Sequence, residues 1–420
     1  MERILCTFPW YYTMTGGYCV TARVEVQFRD AIDGEAMAKA LEITMSRYPY
    51  LKKRLVRTPF RFYLVPNNLP VVLKATDKPV NVGGKDANYH QFALSYSGRS
   101  LYMNQNHAIF DGRGSYRLYA TLFYYYCLYH YGEECRIPNL NLAGSDINPD
   151  EYLEPFYKPL PKPAVTLKNS DRLKRAFKIE EQGLVTHSQM CYRRVKINER
   201  ELMKLCKSSD ASPNTALSVL LCRAIRKLHP NSDRSIVSSI FCDTRAAINA
   251  GLSHYSLAVP LCMSYDNKMD SMDFSEQNTI FRGKLMILSD SDTLLRKQRY
   301  MQRLYRILNM LPLRCLKMLS GRIGRFLSYK TCTFTISYAR NSSYGDCDRH
   351  LALYSPLLYI PDSGLALEIS TVDDSFLITW MQEWPEDLYF DAFLREFESI
   401  GLGYELLDRG PIEPCRFIIE

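Results

Sequence analysis

The chain is expected to be a mixed α/β protein of the α+β kind, built as two halves that share a cleft. Three observations predict this. At 420 residues it exceeds the size of one hydrophobic core. Both halves interleave period-2 apolar runs with runs at helical spacing. A stretch rich in Pro, Asn and Asp with little periodicity, Arg136–Lys178, stands between them. The expected boundaries are 1–160 for the first half, 161–189 for a crossover linker and 190–420 for the second. No internal repeat of solenoid length is visible.

The first element is a strand over Tyr18–Phe28, where Val20, Ala22, Val24, Val26 and Phe28 alternate with Thr21, Arg23, Glu25 and Gln27. Asp33 is placed to cap the following helix, in which Met37, Leu41, Met45 and Tyr48 recur until Pro49 stops it. Gln91–Tyr96 and Ser100–Asn106 read as two strands folded over Ser97-Gly98-Arg99. Gly112-Arg113-Gly114-Ser115 then breaks the chain, with Ser115 as the expected cap of a helix from about Tyr116 to His130.

The second half opens with a strand, Met190–Ile197, and a helix from Asn198. Another helix is entered through Ser212-Pro213-Asn214-Thr215, a cap followed by proline at the first helical position. Strand-like runs recur at Ile236–Phe241, Ser256–Tyr265, Thr331–Ser337, Leu365–Thr371 and Phe376–Trp380, and Leu388–Ile400 is the last helix.

Composition narrows the function classes. The apolar and charged fractions, 46% and 23%, are those of a folded globular protein. No run of about 18 uncharged apolar residues suggests a membrane span, and the start, MERILCTFPWYYTMTGG, lacks the pattern of a secretion signal. Thirteen cysteines without a C-x-x-C pair argue against a disulfide framework and a thiolate metal site, and suit a reducing cytoplasm. The seven histidines are dispersed, and no metal is expected. Residues 282–330 carry twelve Lys or Arg against Asp290 and Asp292, so the rest of the chain sums to about −2 of a net +8. Three readings of this stretch stay open: a solvated helix face, a landing site for an anionic carrier protein or nucleotide-bearing thioester, or a membrane-surface helix over 295–327. The last would use Leu304, Ile307, Leu308, Leu311, Leu316, Leu319 and Ile323. No nucleic-acid module accompanies the charge, so no nucleic-acid partner is expected.

The most informative segment is Asn104–Gly114, NQNHAIFDGRG. It places His107 four residues before Asp111-Gly112, at the end of a hairpin strand and ahead of a helix. A neutral imidazole suits general base work near pH 7, and an aspartate closing the turn behind it can lock the backbone that presents it.

This H-x-x-x-D-G segment resembles the active-site signature of the chloramphenicol acetyltransferase-like acyltransferases, which include alcohol and polyketide-associated acyltransferases and condensation domains of nonribosomal peptide synthetases. Two further segments resemble that family in the right order. Arg47-Tyr48-Pro49-Tyr50-Leu51 is similar to its Arg-His-Pro-Leu-type helix end, and Asp243-Thr244-Arg245 to the D-x-R after a strand of its second half. The resemblance implies two subdomains, each a mixed sheet with helices, arranged as a V-shaped pseudo-dimer with a tunnel at the interface.

It also implies an acyl transfer from a thioester to a hydroxyl or amine of a small-molecule acceptor. His107 would be the base, Asp111 a structural partner of Arg245, and Gly112 the residue permitting a tight turn. Ser337, in Thr335-Ile336-Ser337-Tyr338, resembles a late segment lining the site and is the candidate oxyanion donor. Asn106 stands where many condensation domains carry a second His, which leans the reading toward a free-standing acyltransferase. Three readings compete: an acyl-CoA-dependent O- or N-acyltransferase, a free-standing condensation enzyme taking its acyl group from a phosphopantetheinyl carrier protein, and a catalytically degenerate binding or scaffold protein. In the first two, acyl-CoA or the acyl-carrier is a co-substrate, with no permanently bound cofactor.

Overall fold

The computed structural model describes residues 21–164, 175–186, 188–316, 318, 331–338, 343–359 and 364–419. In chain order the first half forms β1 (Thr21–Phe28), α1 (Gly34–Arg47), β2 (Lys53–Arg57), β3 (Phe62–Pro66), β4 (Leu73–Ala75), β5 (Phe92–Ser97), β6 (Ser100–Asn106) and α2 (Gly112–Tyr131). The second half forms β7 (Cys191–Asn198), α3 (Glu199–Ser208), α4 (Pro213–Leu228), β8 (Ile236–Asp243), β9 (Ala258–Tyr265), α5 (Phe274–Leu288) and α6 (Ser291–Leu308). After these come β10 (Phe334–Tyr338), β11 (Leu351–Tyr359), β12 (Leu365–Val372), β13 (Ser375–Gln382), α7 (Leu388–Ser399) and β14 (Glu405–Pro411).

Two mixed sheets carry most of these elements, one of five strands in the order β11-β1-β6-β5-β4 and one of seven in the order β14-β7-β13-β12-β10-β8-β9, while β2 and β3 form a separate antiparallel pair. The mixed α/β expectation holds, with helices packed on both sheets. Val24, Val26 and Phe28 of β1 enter one core with Met37, Leu41 and Met45 of α1 and Phe123 and Tyr126 of α2. The second core gathers α4, α7 and the inner faces of β8, β12 and β13 around Trp380 and Trp384.

Asp33 caps α1 as its position requires, its Oδ1 accepting from Glu35 N at 2.9 Å and Ala36 N at 3.0 Å. The expected cap of α2 is corrected: Asp111, not Ser115, is the N-cap, and the helix begins at Gly112. An aspartate whose Oδ1 reaches Gly114 N at 2.7 Å satisfies a first-turn donor, which leaves Ser115 inside the helix.

Strand pairing also joins the expected 1–160 and 190–420 halves. β11 leaves the second half and pairs antiparallel with β1, Leu357 opposite Arg23 and Tyr354 opposite Val26. The C-terminal tail returns too, with Val82 N donating to Arg416 O at 2.9 Å and Ile418 N to Val82 O at 2.8 Å. The two halves share a third core in which Leu55, Val82 and Ala93 meet Ile248, Leu257, Tyr305, Leu316 and Phe417. Glu25 shows the same closure. It lies on the polar side of β1, yet it is buried, with Oε2 2.5 Å from Nη2 of Arg194 on β7.

Candidate functional site

The hairpin β5–β6 delivers the His107 loop. Its turn is Gly98-Arg99, with Ser97 paired to Ser100, and Gly98 takes the φ of +55° that such a turn demands. At the end of β6, Asn106 is fully buried and braces the loop on both sides. Its amide Nδ2 donates to Gln91 Oε1 at 3.1 Å, and its Oδ1 accepts from Ala108 N at 3.0 Å. His107 follows, partly exposed, with a buried Nδ1 that finds no hydrogen-bond partner among the described residues.

Asp111 and Arg245 meet across the two halves. Arg245 Nη2 lies 2.7 Å from Asp111 Oδ1, and Nη1 lies 3.1 Å from Oδ2. The guanidinium also donates through Nε to Ser253 O at 3.0 Å, through Nη1 to Asp243 Oδ1 at 2.8 Å and through Nη2 to Tyr255 O at 2.6 Å. These use all five of its N–H groups. Asp111 is as fully engaged, accepting in addition from Gly114 N and from Leu257 N at 2.9 Å. Burial pushes the Asp111 carboxyl up, but Arg245 and the two backbone N–H groups outweigh it and hold it below the usual carboxylate range. For Arg245, burial works downward, and Asp111 and Asp243 more than offset it.

The glycine that this packing requires is Gly114. A Cβ there would stand 2.0 Å from His254 O and 2.9 Å from Nη2 of Arg245. Gly112 is exposed at the first helical position and does not take a positive φ. Residues 253–257 of the second half thus press directly on the first turn of α2.

His254, which sequence reasoning passed over, sits in this contact. Its Nδ1 donates to Ile109 O at 2.9 Å, and burial pushes the imidazole down to about 4, so it stays neutral at physiological pH. Its ring stacks on Tyr255 and on Tyr50, with centroids 4.2 and 5.8 Å apart. Tyr50 belongs to the Arg47–Leu51 segment, whose Arg47 forms a buried bidentate pair with Glu151 at 2.9 and 3.1 Å. The Tyr50 hydroxyl donates to the same carboxylate at 2.8 Å. All three segments that carried the family resemblance therefore converge here.

Helix α6 supports the node from behind. Gln298 Nε2 donates to Thr244 Oγ1 at 2.6 Å and to Leu257 O at 3.1 Å, and Gln302 Nε2 to Phe156 O and Lys158 O. Ser337 lies apart, on β10 opposite Glu368 of β12, and no hydrogen bond among the described residues joins it to the His107 loop. Burial pushes Glu368 up to about 7, against the Ser337 hydroxyl that bonds to it. Nothing in the local sequence, LALEISTV, separates this carboxylate from an ordinary surface residue of a strand.

No protein-family model and no curated protein sequence matches the chain. Solved structures do. TRI101 of F. graminearum, complexed with coenzyme A and T-2 mycotoxin, superposes with a TM-score of 0.61 at 10% identity, covering 96% of this chain and 98% of that one. Polyketide synthase associated protein 5 from Mycobacterium tuberculosis gives 0.58 at 12%, over 93% and 96%. The first condensation domain of the CDA synthetase gives 0.56 at 12%, over 93% of each chain. The chain has the two-subdomain chloramphenicol acetyltransferase-like fold. Within that fold the H-x-x-x-D-G loop of the first half and the D-x-R segment of the second are locked into one node.

Proposed function

We propose that the protein is an acyltransferase moving an acyl group from acyl-CoA to a hydroxyl or amine of a small-molecule acceptor. One observation carries this reading. The Asp111–Arg245 node is fully satisfied and immobilises the loop on both sides, while Nδ1 of the imidazole it presents, His107, has no partner among the described residues. A thioester is already activated, so the protein need only take a proton, hold the reactants in line and stabilise the oxyanion. His107 takes the proton from the acceptor O–H or N–H as its oxygen or nitrogen attacks the thioester carbonyl carbon. The tetrahedral intermediate then collapses with breakage of the C–S bond, and the leaving thiolate takes that proton back from His107. Asp111 and Arg245 keep the loop in register and touch neither reactant.

Ser337 is the proposed oxyanion donor. Its hydroxyl is free to turn toward substrate when Glu368 is protonated and itself donates the hydrogen bond between them, a state that a carboxyl near pH 7 reaches readily. Donor capture falls to the exposed cations of α6, Arg303 and Arg306. Arg299, on the same helix, is engaged elsewhere: its Nη1 donates to Leu160 O and Pro161 O, both at 2.6 Å. The same surface exposes Tyr300, Ile307, Met310 and Met318, which keeps a peripheral membrane contact as an outcome to test, although part of 295–327 lies outside the described residues. Among the described residues no helix is long and apolar enough to cross a membrane.

The test is thiol release from acyl-CoAs of increasing chain length, followed with a thiol reagent in the presence of alcohol and amine acceptors. Acceptor-dependent release supports the reading. Silence with every CoA ester but turnover with an acyl-loaded carrier protein would move the assignment to a free-standing condensation enzyme. Binding of donor or acceptor without turnover in either format would mark a degenerate binding protein.

A further inference from the structure

Far from His107, at the other end of α2, three cysteines from separate segments converge. Cys127 lies in the last turn of α2, Cys135 in the loop beyond it, and Cys347 in a short 3-10 turn, Gly345–His350, which leads into β11. Their sulfurs all lie within 4.8 Å of one another, and the residues are 0, 3 and 1% exposed.

Each segment is pinned independently. Gly132, at φ +70°, ends α2, with its N–H bonded to Cys127 O, and turns the chain back over the helix end. Glu133 N reaches the same carbonyl at 3.3 Å. The Cys135 and Cys347 segments are tied to each other by a reciprocal pair, Asp346 N to Arg136 O and Arg136 N to Asp346 Oδ2, both at 3.0 Å. Gly345 allows that approach, since a Cβ there would stand 2.0 Å from Arg136 O. At the rim, Glu133 accepts from Arg349 and, at 2.7 Å, from His350 Nε2. The backbone therefore holds all three thiols in place without requiring any of them to pair.

We propose that Cys127, Cys135 and Cys347 form a structural site for one thiophilic d¹⁰ cation, Zn(II) or Cu(I), bound through three thiolates. Metal–sulfur bonds of about 2.3 Å place three ligand sulfurs about 4 Å apart, which the observed cluster admits with small side-chain movement. A disulfide would use two sulfurs and leave the third buried and idle; a cation uses all three. No fourth His, Cys, Asp or Glu among the described residues joins the group, a ligand set that suits three-coordinate Cu(I) directly and leaves Zn(II) to complete its shell with water. Binding releases the three thiol protons to solvent, so the net charge of the thiolates and a divalent cation is −1 and that of the thiolates and Cu(I) is −2. The site would fasten the helix that Asp111 caps to the segment feeding β11, the strand that joins the two halves.

The test uses the full chain as purified, with metal content measured by elemental analysis and Zn(II) and Cu(I) each titrated into apo-protein. The expected result is one equivalent bound, a rise in Tm of several degrees, and loss of that equivalent in Cys127→Ser, Cys135→Ser and Cys347→Ser but not in the exposed control Cys315→Ser. Which of the two ions gives the rise distinguishes the sources. Because a core Cys→Ser variant can fail to fold, peptide mapping of the wild-type protein after alkylation provides a second measurement. The bound ion should protect these three cysteines together. Equal binding in wild type and variants, no protection by either ion, or a mass lower by two hydrogen atoms from a disulfide joining two of the three would each overturn the proposal.

Discussion

His107 and Asp111 stand four residues apart and have opposite surroundings. Every acceptor site of Asp111 in reach of a donor is used, by Arg245 twice and by the N–H groups of Gly114 and Leu257. His107 keeps a buried Nδ1 with no partner among the described residues. A second comparison sharpens the first. His254 is buried, bonded to Ile109 O and stacked between tyrosines, which is how a structural histidine looks. The contrast shows where the fold invests its hydrogen bonds: in holding the loop, with Nδ1 of His107 left without a partner among the described residues.

The largest expected effect comes from breaking the satisfied side. Asp111→Ala leaves Arg245 buried and short of a partner, a loss of about 3–5 kcal/mol, so Tm and turnover should fall together. Because the two residues form one node, Asp111→Ala with Arg245→Ala should cost clearly less than the sum of the single changes. Additive losses in a double-mutant cycle measured by urea unfolding would show that the node is not a unit.

A pH titration separates the two buried groups by the pH window in which each contribution is lost. His254 has its folded pKa lowered from 6.5 to about 4, so the unfolded chain binds the extra proton between these values. Its contribution is complete above pH 6.5 and is lost as pH falls toward 4, by about 3 kcal/mol. Asp111, also depressed, contributes above the unfolded carboxylate value and is lost only at lower pH still, as protonation reaches its folded pKa. His254→Phe should therefore flatten the stability profile between pH 6.5 and 4 while leaving the steeper acid limb. An unchanged slope in that window would remove His254 as its cause.

Gly114→Ala is expected to cost about 1–3 kcal/mol, since a Cβ 2.0 Å from the His254 carbonyl forces residues 253–257 away from α2. Gly112→Ala, at the exposed first helical position, should be close to neutral in Tm. Equal effects would contradict the placement of the close approach at Gly114. The smallest effect is kinetic. Replacing Arg303 and Arg306 by Gln should raise the KM for acyl-CoA severalfold at low salt and leave kcat unchanged. If instead the change abolishes binding to anionic vesicles with KM unaltered, the surface serves a membrane.

Much of this was legible in the sequence where local patterning governs. Alternation along β1, the Asp33 cap, the turn at Gly98 and the capped entry to α4 at Ser212 all follow short-range rules and hold in the structure. β11 escaped because Pro356 interrupts LALYSPLLY. Such a strand tolerates proline as the edge of its sheet, and its pairing with β1 is a long-range event. β14 escaped for a related reason: ELLDRGP is an exposed edge strand without alternation. In the site, the H-x-x-x-D-G and D-x-R residues carried their own signal. His254, Gly114, Glu368 and the meeting of Cys127, Cys135 and Cys347 depend on how distant segments close on each other, and no spacing in the chain announces them.

The most direct test of the central claim is acceptor-dependent thiol release from acyl-CoA by His107→Ala beside the wild-type protein, with Tm measured on the same samples. The account predicts a fall of at least about 10²-fold in kcat with Tm nearly unchanged, because a general base is lost and no hydrogen bond of the fold goes with it. Near-normal turnover in a variant of native Tm would contradict it.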